Sequence, residues 1–199
     1  MSGDFRTALK QRRSCYSIGS SSPVSDEEIR DIIDFAVLHT PSAFNSQSAR
    51  VVLLFGGEHH KFWNLVRETL REMLPADKFP PTDQRISLFS AGHGTVLFYE
   101  DQSVVRAYQE KFPLYSDSIP GYSENSAGML QLAVWTMLRD ADLGASLQHY
   151  GNLVQERAAR TWNLDDNWRL IAQMPFGAIT AEPGPKDMPD PAKCVKVFS

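Results

Sequence analysis

The chain has 199 residues, enough to bury about 70 % of its unfolded surface around one core, which excludes a mini-protein held together by staples. With 42 % hydrophobic and 22 % charged residues, 12 Gly and 12 Pro, the composition excludes both disorder and collagen-like repetition. Lys plus Arg is 20 against 24 Asp plus Glu, and the net charge of -4 argues against a surface that tracks a nucleic-acid backbone.

Phe5, Ala8 and Leu9 recur at helical spacing and predict a short helix that ends near Arg12-Arg13-Ser14. Ser25 and Glu28 form an S-x-x-E capping pattern ahead of Ile29, Ile32, Ile33, Ala36 and Val37, so a second helix is expected there, stopping before Pro41. After a polar loop, residues 51–55 are β-branched or large and apolar and are bounded by Gly56-Gly57, which predicts a buried strand. Phe62, Leu65, Val66, Thr69, Leu70 and Met73 predict a third helix ended by Pro75, with Pro80-Pro81 lengthening the break.

A strand at 95–99 and a short helix at 102–111 follow; 112–122, with two prolines and three aromatics, reads as an irregular lid over a pocket. Residues 125–141 are apolar around most of a helical circumference, the pattern of a central helix buried on several sides. A strand or edge loop at 145–150, a helix at 153–162, a strand at 168–176 and a terminal strand at 194–198 complete the reading. Helices mixed with dispersed strands, without an internal repeat or boundary, indicate an α+β fold and one domain over 1–199.

Cys15 and Cys194 permit at most one bridge, so a reducing cytoplasm is the simpler setting. No apolar run reaches signal-peptide or membrane-spanning length, which predicts neither export nor a membrane anchor.

Three segments carry candidate chemistry. Arg12, Arg13 and Ser14 offer two guanidinium forks and a hydroxyl, a donor set suited to a phosphate monoester; alone, they read more readily as a solvated helix end facing the negative pole of the helix dipole. In Pro41-Ser42-Ala43-Phe44-Asn45-Ser46-Gln47 two amides lie two residues apart, able to read a planar heterocycle that alternates C=O and N–H, or to close a polar turn. Leu147, Gln148 and His149 follow the buried helix where backbone N–H groups emerge at the core's edge; a lone histidine is more often structural than catalytic. Lys186 is a single loop cation. The five histidines form no H-E-x-x-H pattern, Gly144-Ala145-Ser146-Leu147-Gln148 lacks the second glycine of a hydrolase elbow, and Gly92-His93-Gly94 is no phosphate loop.

In this order, Arg-Arg-Ser near the start, Pro-Ser-x-x-Asn-Ser-Gln before the first strand and Leu-Gly-Ala-Ser after an apolar helix together resemble the FMN-dependent nitroreductase family. Ala133-Val134-Trp135-Thr136, Leu147-Gln148-His149-Tyr150 and Met174-Pro175-Phe176-Gly177 are similar to its short branch of fungal fatty-acid-repression nitroreductase-like proteins. The resemblance implies a homodimer with a central mixed sheet flanked by helices, a C-terminal strand extending onto the partner subunit, and two FMN sites at the interface. It implies that Arg12, Arg13 and Ser14 hold the phosphate and ribityl chain with Lys186. Pro41, Ser42, Ala43 and Asn45 would reach the flavin from the partner, with Gln47 near the same edge, and 147–149 would supply backbone groups near the reactive nitrogen. Phe44 and Leu147 would line the ring's interface.

Two residues depart from the family pattern. Tyr16 stands where many members carry Arg or Lys near the flavin pyrimidine, bringing a hydrogen-bond donor without full charge. Ser48 replaces the usual Pro, which leaves the loop less fixed. The implied activity is an NAD(P)H-dependent FMN oxidoreductase with ping-pong transfer from NADH or NADPH to a small aromatic acceptor. The alternative is a flavin-binding regulatory or redox-sensing protein with incidental turnover. No metal and no side-chain acid or base is assigned. Cys15, beside two arginines, reads as a bystander or as a thiol of lowered pKa.

Overall fold

The computed structural model describes residues 4–198. Helix α1 (Phe5–Gln11) leads to strand β1 (Ile18–Gly19) and helix α2 (Asp26–His39), which starts on a complete Ser25–Glu28 capping box as the sequence predicts. The remaining elements are β2 (Ala49–Phe55), α3 (Gly56–Met73), α4 (Phe79–Ser90), β3 (Gly94–Asp101), α5 (Gln102–Lys111), α6 (Ile119–Asp140), β4 (Leu143–Ala145), α7 (Gly151–Trp162), β5 (Trp168–Ile179) and α8 (Pro191–Cys194). The fold is α+β.

The sheet runs β1-β5-β3-β2, with β4 also paired to β5. Its ladders are antiparallel, and the parallel component expected of a mixed sheet is reduced to one isolated bridge between Ser14 and Ala145. All eight residues of β3 are buried. Strand alternation divides them: Val96 and Phe98 join Ile32, Leu130, Val134 and Leu138 of α2 and α6, while Leu97 and Tyr99 join Phe62, Trp63, Phe89 and Val154 of α3, α4 and α7. Two apolar layers thus cover one sheet.

Three expectations are corrected. Pro80 and Pro81 do not prolong a break but sit in the first turn of α4, where backbone N–H groups lack helical partners anyway, and α4 buries Ile86 and Phe89. The segment 112–122 is irregular only in part: a 3₁₀ turn at Pro113–Tyr115 precedes α6, which begins at Ile119 rather than at 125. The tail forms no strand at 194–198 among the described residues; Asp190 caps the short α8, and Phe198 is 90 % exposed. Ser199, the end of the expected partner-embracing tail, lies outside the described residues.

One face of α6 stays open. Ala127, Leu130, Val134 and Leu138 are buried at helical spacing, but Met129 and Leu132 are exposed, as are Phe35 and Leu38 on α2. The burial on several sides expected from the sequence is therefore incomplete within one chain. No helix among the described residues is long and apolar enough to cross a membrane.

Candidate functional site

Residues 12–17 leave α1 and run beside β4. The Cys15 backbone N–H donates to Ala145 O at 2.8 Å, and the Thr180 N–H donates to Ser17 O at 2.9 Å, so this stretch is pinned between β4 and the end of β5. Gly144 permits the approach: a Cβ there would stand 2.9 Å from Cys15 Sγ and 2.9 Å from Ile179 Cγ1. Cys15 is 3 % exposed, and burial pushes its thiol pKa up, the opposite of what an activated thiol needs.

The pinned stretch faces the loop after β5. Arg12, Arg13, Ser14, Tyr16 and Ser17 form one wall of an open cavity of ≈ 470 Å³, and Ala181 to Lys186 form the other. Arg13 Nη2 donates to Gly184 O at 3.0 Å across 171 residues of sequence, holding the loop that carries Lys186. The Arg12 guanidinium lies 4.4 Å from the centroid of the Trp135 ring, and its Nε is buried without a hydrogen-bond partner. Burial, reinforced by the Arg13 charge, pushes the Arg12 pKa down, as expected of a cation that lacks an anion. Glu182 also lines the cavity, and Arg139 Nη2 at 3.2 Å offsets its charge.

The amide loop is built differently. A 3₁₀ turn at Ala43–Asn45 includes left-handed Phe44 and Asn45, and Gln47 is left-handed too, with φ of 56°, 53° and 51°. Such conformations cost about 1–3 kcal/mol each and persist only where surroundings impose them. Here Gln47 N–H donates to Ser42 Oγ at 3.0 Å, Ala43 N–H to Ser126 Oγ at 3.2 Å, Gln47 Nε2 to Asn45 Oδ1 at 3.2 Å and Arg50 Nη1 to Gln47 O at 2.9 Å. Phe44 stacks on Phe112 of its own chain, ring centroids 4.5 Å apart, while remaining half exposed. Ser48 does not loosen the loop: it is buried, its hydroxyl donates to Glu100 Oε2 at 2.7 Å, and its carbonyl accepts from Asp101 N–H at 2.9 Å.

Pro41, Ser42, Asn45 and Gln47 line a second cavity of ≈ 280 Å³, which shares no wall residue with the first. Ala43 is tied beside it through Ser126. Leu147, Gln148 and His149 line neither cavity, although the Ser14–Ala145 bridge places their segment next to the basic stretch. Gln148 exchanges backbone hydrogen bonds with Gln173 at 2.7 and 2.9 Å, so its N–H is already committed; His149 is exposed and Leu147 packs against the core. The single chain therefore brings Arg12, Arg13, Ser14, Tyr16 and Lys186 together but leaves the amide loop elsewhere. Trp135 and the Arg139–Glu182 pair were not legible as site residues, because their partners lie far away in sequence.

The described residues hold no cluster of His, Cys, Asp and Glu suited to a metal. The nitroreductase family model matches residues 9–178. HBN1 of Saccharomyces cerevisiae is 31 % identical over 184 residues, 92 % of this chain and 91 % of the relative. The nitroreductase CinD of Lactococcus lactis, solved in complex with 4-nitrophenol, superposes with a TM-score of 0.89 at 38 % identity over 98 % of this chain and 100 % of its own. A Desulfovibrio desulfuricans protein solved in complex with FMN shares the fold, with a TM-score of 0.71 at 18 % identity over 100 % of both chains. With its α+β architecture and this match over most of its length, the chain belongs to the nitroreductase family of flavoprotein oxidoreductases.

Proposed function

We propose that the protein is an NAD(P)H-dependent FMN oxidoreductase acting on nitroaromatic, quinone or similarly flat acceptors. The observation that carries this reading is the convergence of Arg12, Arg13, Ser14 and Lys186 on one open cavity, with Arg12 Nε buried and unpartnered. These donors fit a phosphate monoester. Charge-assisted hydrogen bonds contribute roughly 1.5–3 kcal/mol each, so two or three supply much of the about -8 kcal/mol of micromolar binding.

FMN, when bound, would supply the redox chemistry between reduced nicotinamide and the acceptor. The chain's own part is to hold and orient. Arg12 and Lys186 would neutralise the phosphate, Arg13 keeps the loop bearing Lys186 in place, and Tyr16 presents a donor without full charge. The segment 147–149 would approach the reactive edge from β4, and Pro41, Ser42, Ala43, Asn45 and Gln47 would reach the ring of a second subunit.

The same geometry supports a homodimer. The amide loop and the basic cavity lie apart in one chain, and the exposed apolar groups Phe35, Leu38, Met129 and Leu132 offer a face for a second copy to cover. Donor and acceptor would occupy one stacking slot in turn, which gives ping-pong kinetics. Freshly purified protein should be yellow and should oxidise NADH or NADPH faster when 4-nitrophenol or a quinone is added. Colourless protein that takes up no added FMN overturns the reading; flavin without acceptor-dependent turnover leaves the regulatory alternative.

A further inference from the structure

One carboxylate stands among the cations of the basic cavity. Of the residues that line it, Arg12, Arg13 and Lys186 are positive and Glu182 alone is negative. A carboxylate beside a phosphate site opposes the ligand unless another charge cancels it. Here the cancelling charge comes from outside the cavity. Arg139 Nη2, on α6, donates to Glu182 Oε1 at 3.2 Å, and among the described residues no cation of the cavity wall forms an ion pair with Glu182.

The two partners are unequally placed. The Glu182 side chain is 66 % exposed and that of Arg139 18 %, and Arg139 Nε is buried with no hydrogen-bond partner. Arg139 is therefore a largely buried cation whose charge is met by Glu182. The backbone keeps Glu182 at the cavity: Thr180 N–H donates to Ser17 O at 2.9 Å on one side of it, and Gly184 O accepts from Arg13 Nη2 at 3.0 Å on the other. Both charges are felt by the basic stretch. Besides burial, which raises it, and the hydrogen bond to Ser17, which lowers it, the Cys15 thiol pKa is pushed up by Glu182 and down by Arg139.

We propose that the Arg139–Glu182 pair sets the phosphate selectivity of this cavity: Glu182 is a built-in competitor that weakens the hold on a phosphate monoester, and Arg139 limits that penalty. FMN would then be held loosely enough to exchange. Riboflavin, the same ring without the phosphate, would be indifferent to the pair. The inference rests on the flavin reading for its ligand and adds two residues that regulate the site.

Glu182→Gln isolates the charge, because the amide oxygen still accepts from Arg139. Fluorescence titration at low salt should show FMN bound about 3- to 10-fold tighter in Glu182→Gln, about 3- to 10-fold weaker in Arg139→Met and close to the parent in the double variant, with riboflavin affinity unchanged throughout. Raising the salt to about 0.5 M should shrink these differences, since exposed charges are screened. Weaker FMN binding by Glu182→Gln overturns the proposal and makes the pair a latch for the loop that carries Lys186; an equal gain for riboflavin overturns it too. Should Arg139→Met fail to fold, Glu182→Gln with its riboflavin control decides alone. Parent protein that binds no FMN overturns the flavin reading and the proposal together, whereas FMN binding that is the same in parent and Glu182→Gln overturns the proposal only.

Discussion

Arg12 stacks on Trp135 with its guanidinium carbon 4.4 Å from the ring centroid, so a side chain from α6 aims the first cation of the basic stretch. The stacking covers one face of the guanidinium and leaves its edge for an anion. Arg12→Ala should therefore keep the fold and weaken FMN affinity about 10- to 150-fold, the range of one charged hydrogen bond. Flavin fluorescence titration measures this; equal affinity in variant and parent rejects the role. Trp135→Leu should weaken binding less, because the cation remains.

Gly144 is held to glycine by its neighbours. A methyl at this position meets Cys15 Sγ and Ile179 Cγ1 at 2.9 Å and Ile18 Cγ2 at 3.1 Å. Gly144→Ala should destabilise the protein by about 1–3 kcal/mol, read from the urea midpoint. Adding Cys15→Ala should recover part of that loss, since the two changes share one contact. Strict additivity would show that the sulfur is not the obstacle.

The two cysteines should differ sharply in reactivity. Cys194 is exposed, whereas Cys15 is buried with a raised thiol pKa. Iodoacetamide at neutral pH should label Cys194 and spare Cys15 until the protein unfolds. Peptide mapping that found both alkylated at similar rates in native protein would contradict the packing described.

Acid should destabilise the protein through His59. Trp63 Nε1 donates to Thr95 Oγ1 at 2.9 Å, the Thr95 hydroxyl lies 2.8 Å from His59 Nδ1, and His59 Nε2 lies 3.2 Å from Ser90 O. Burial holds the imidazole pKa down to about 4 from 6.5. Above pH 6.5 the ring is neutral in both folded and unfolded chains, and its contribution is intact. As pH falls from 6.5 towards 4 the unfolded chain takes up a proton that the folded one refuses, and about 3 kcal/mol is lost. Urea midpoints across this window should fall less steeply in His59→Gln; parallel curves would assign the acid sensitivity to other groups.

The proposed subunit face is open to a direct test. Leu38 is 78 % exposed on α2 beside Phe35. Leu38→Asp should shift the protein towards monomer in light-scattering chromatography and lower its flavin content together. A variant that stayed dimeric with full flavin would place the interface elsewhere.

Local signals in the sequence determined most of the elements. The Ser25–Glu28 box, the apolar spacing of α2, α3 and α6, and the run ending at Phe55 specify structure within a few residues, where capping and periodicity act. Prolines misled at Pro80-Pro81, since the same ring that breaks a helix interior is tolerated in its first turn. The alternating tail misled as well, because alternation yields a strand only where another strand is present to pair with it. The basic triplet and the amide loop could be named as binding chemistry from residue type and order. Only the tertiary structure decided what each donor faces. Arg12 meets Trp135, Arg13 meets Gly184 and Ser48 meets Glu100 across 52 to 171 residues or through packing of separate elements, and such encounters follow from strand pairing and core burial, which no local pattern encodes.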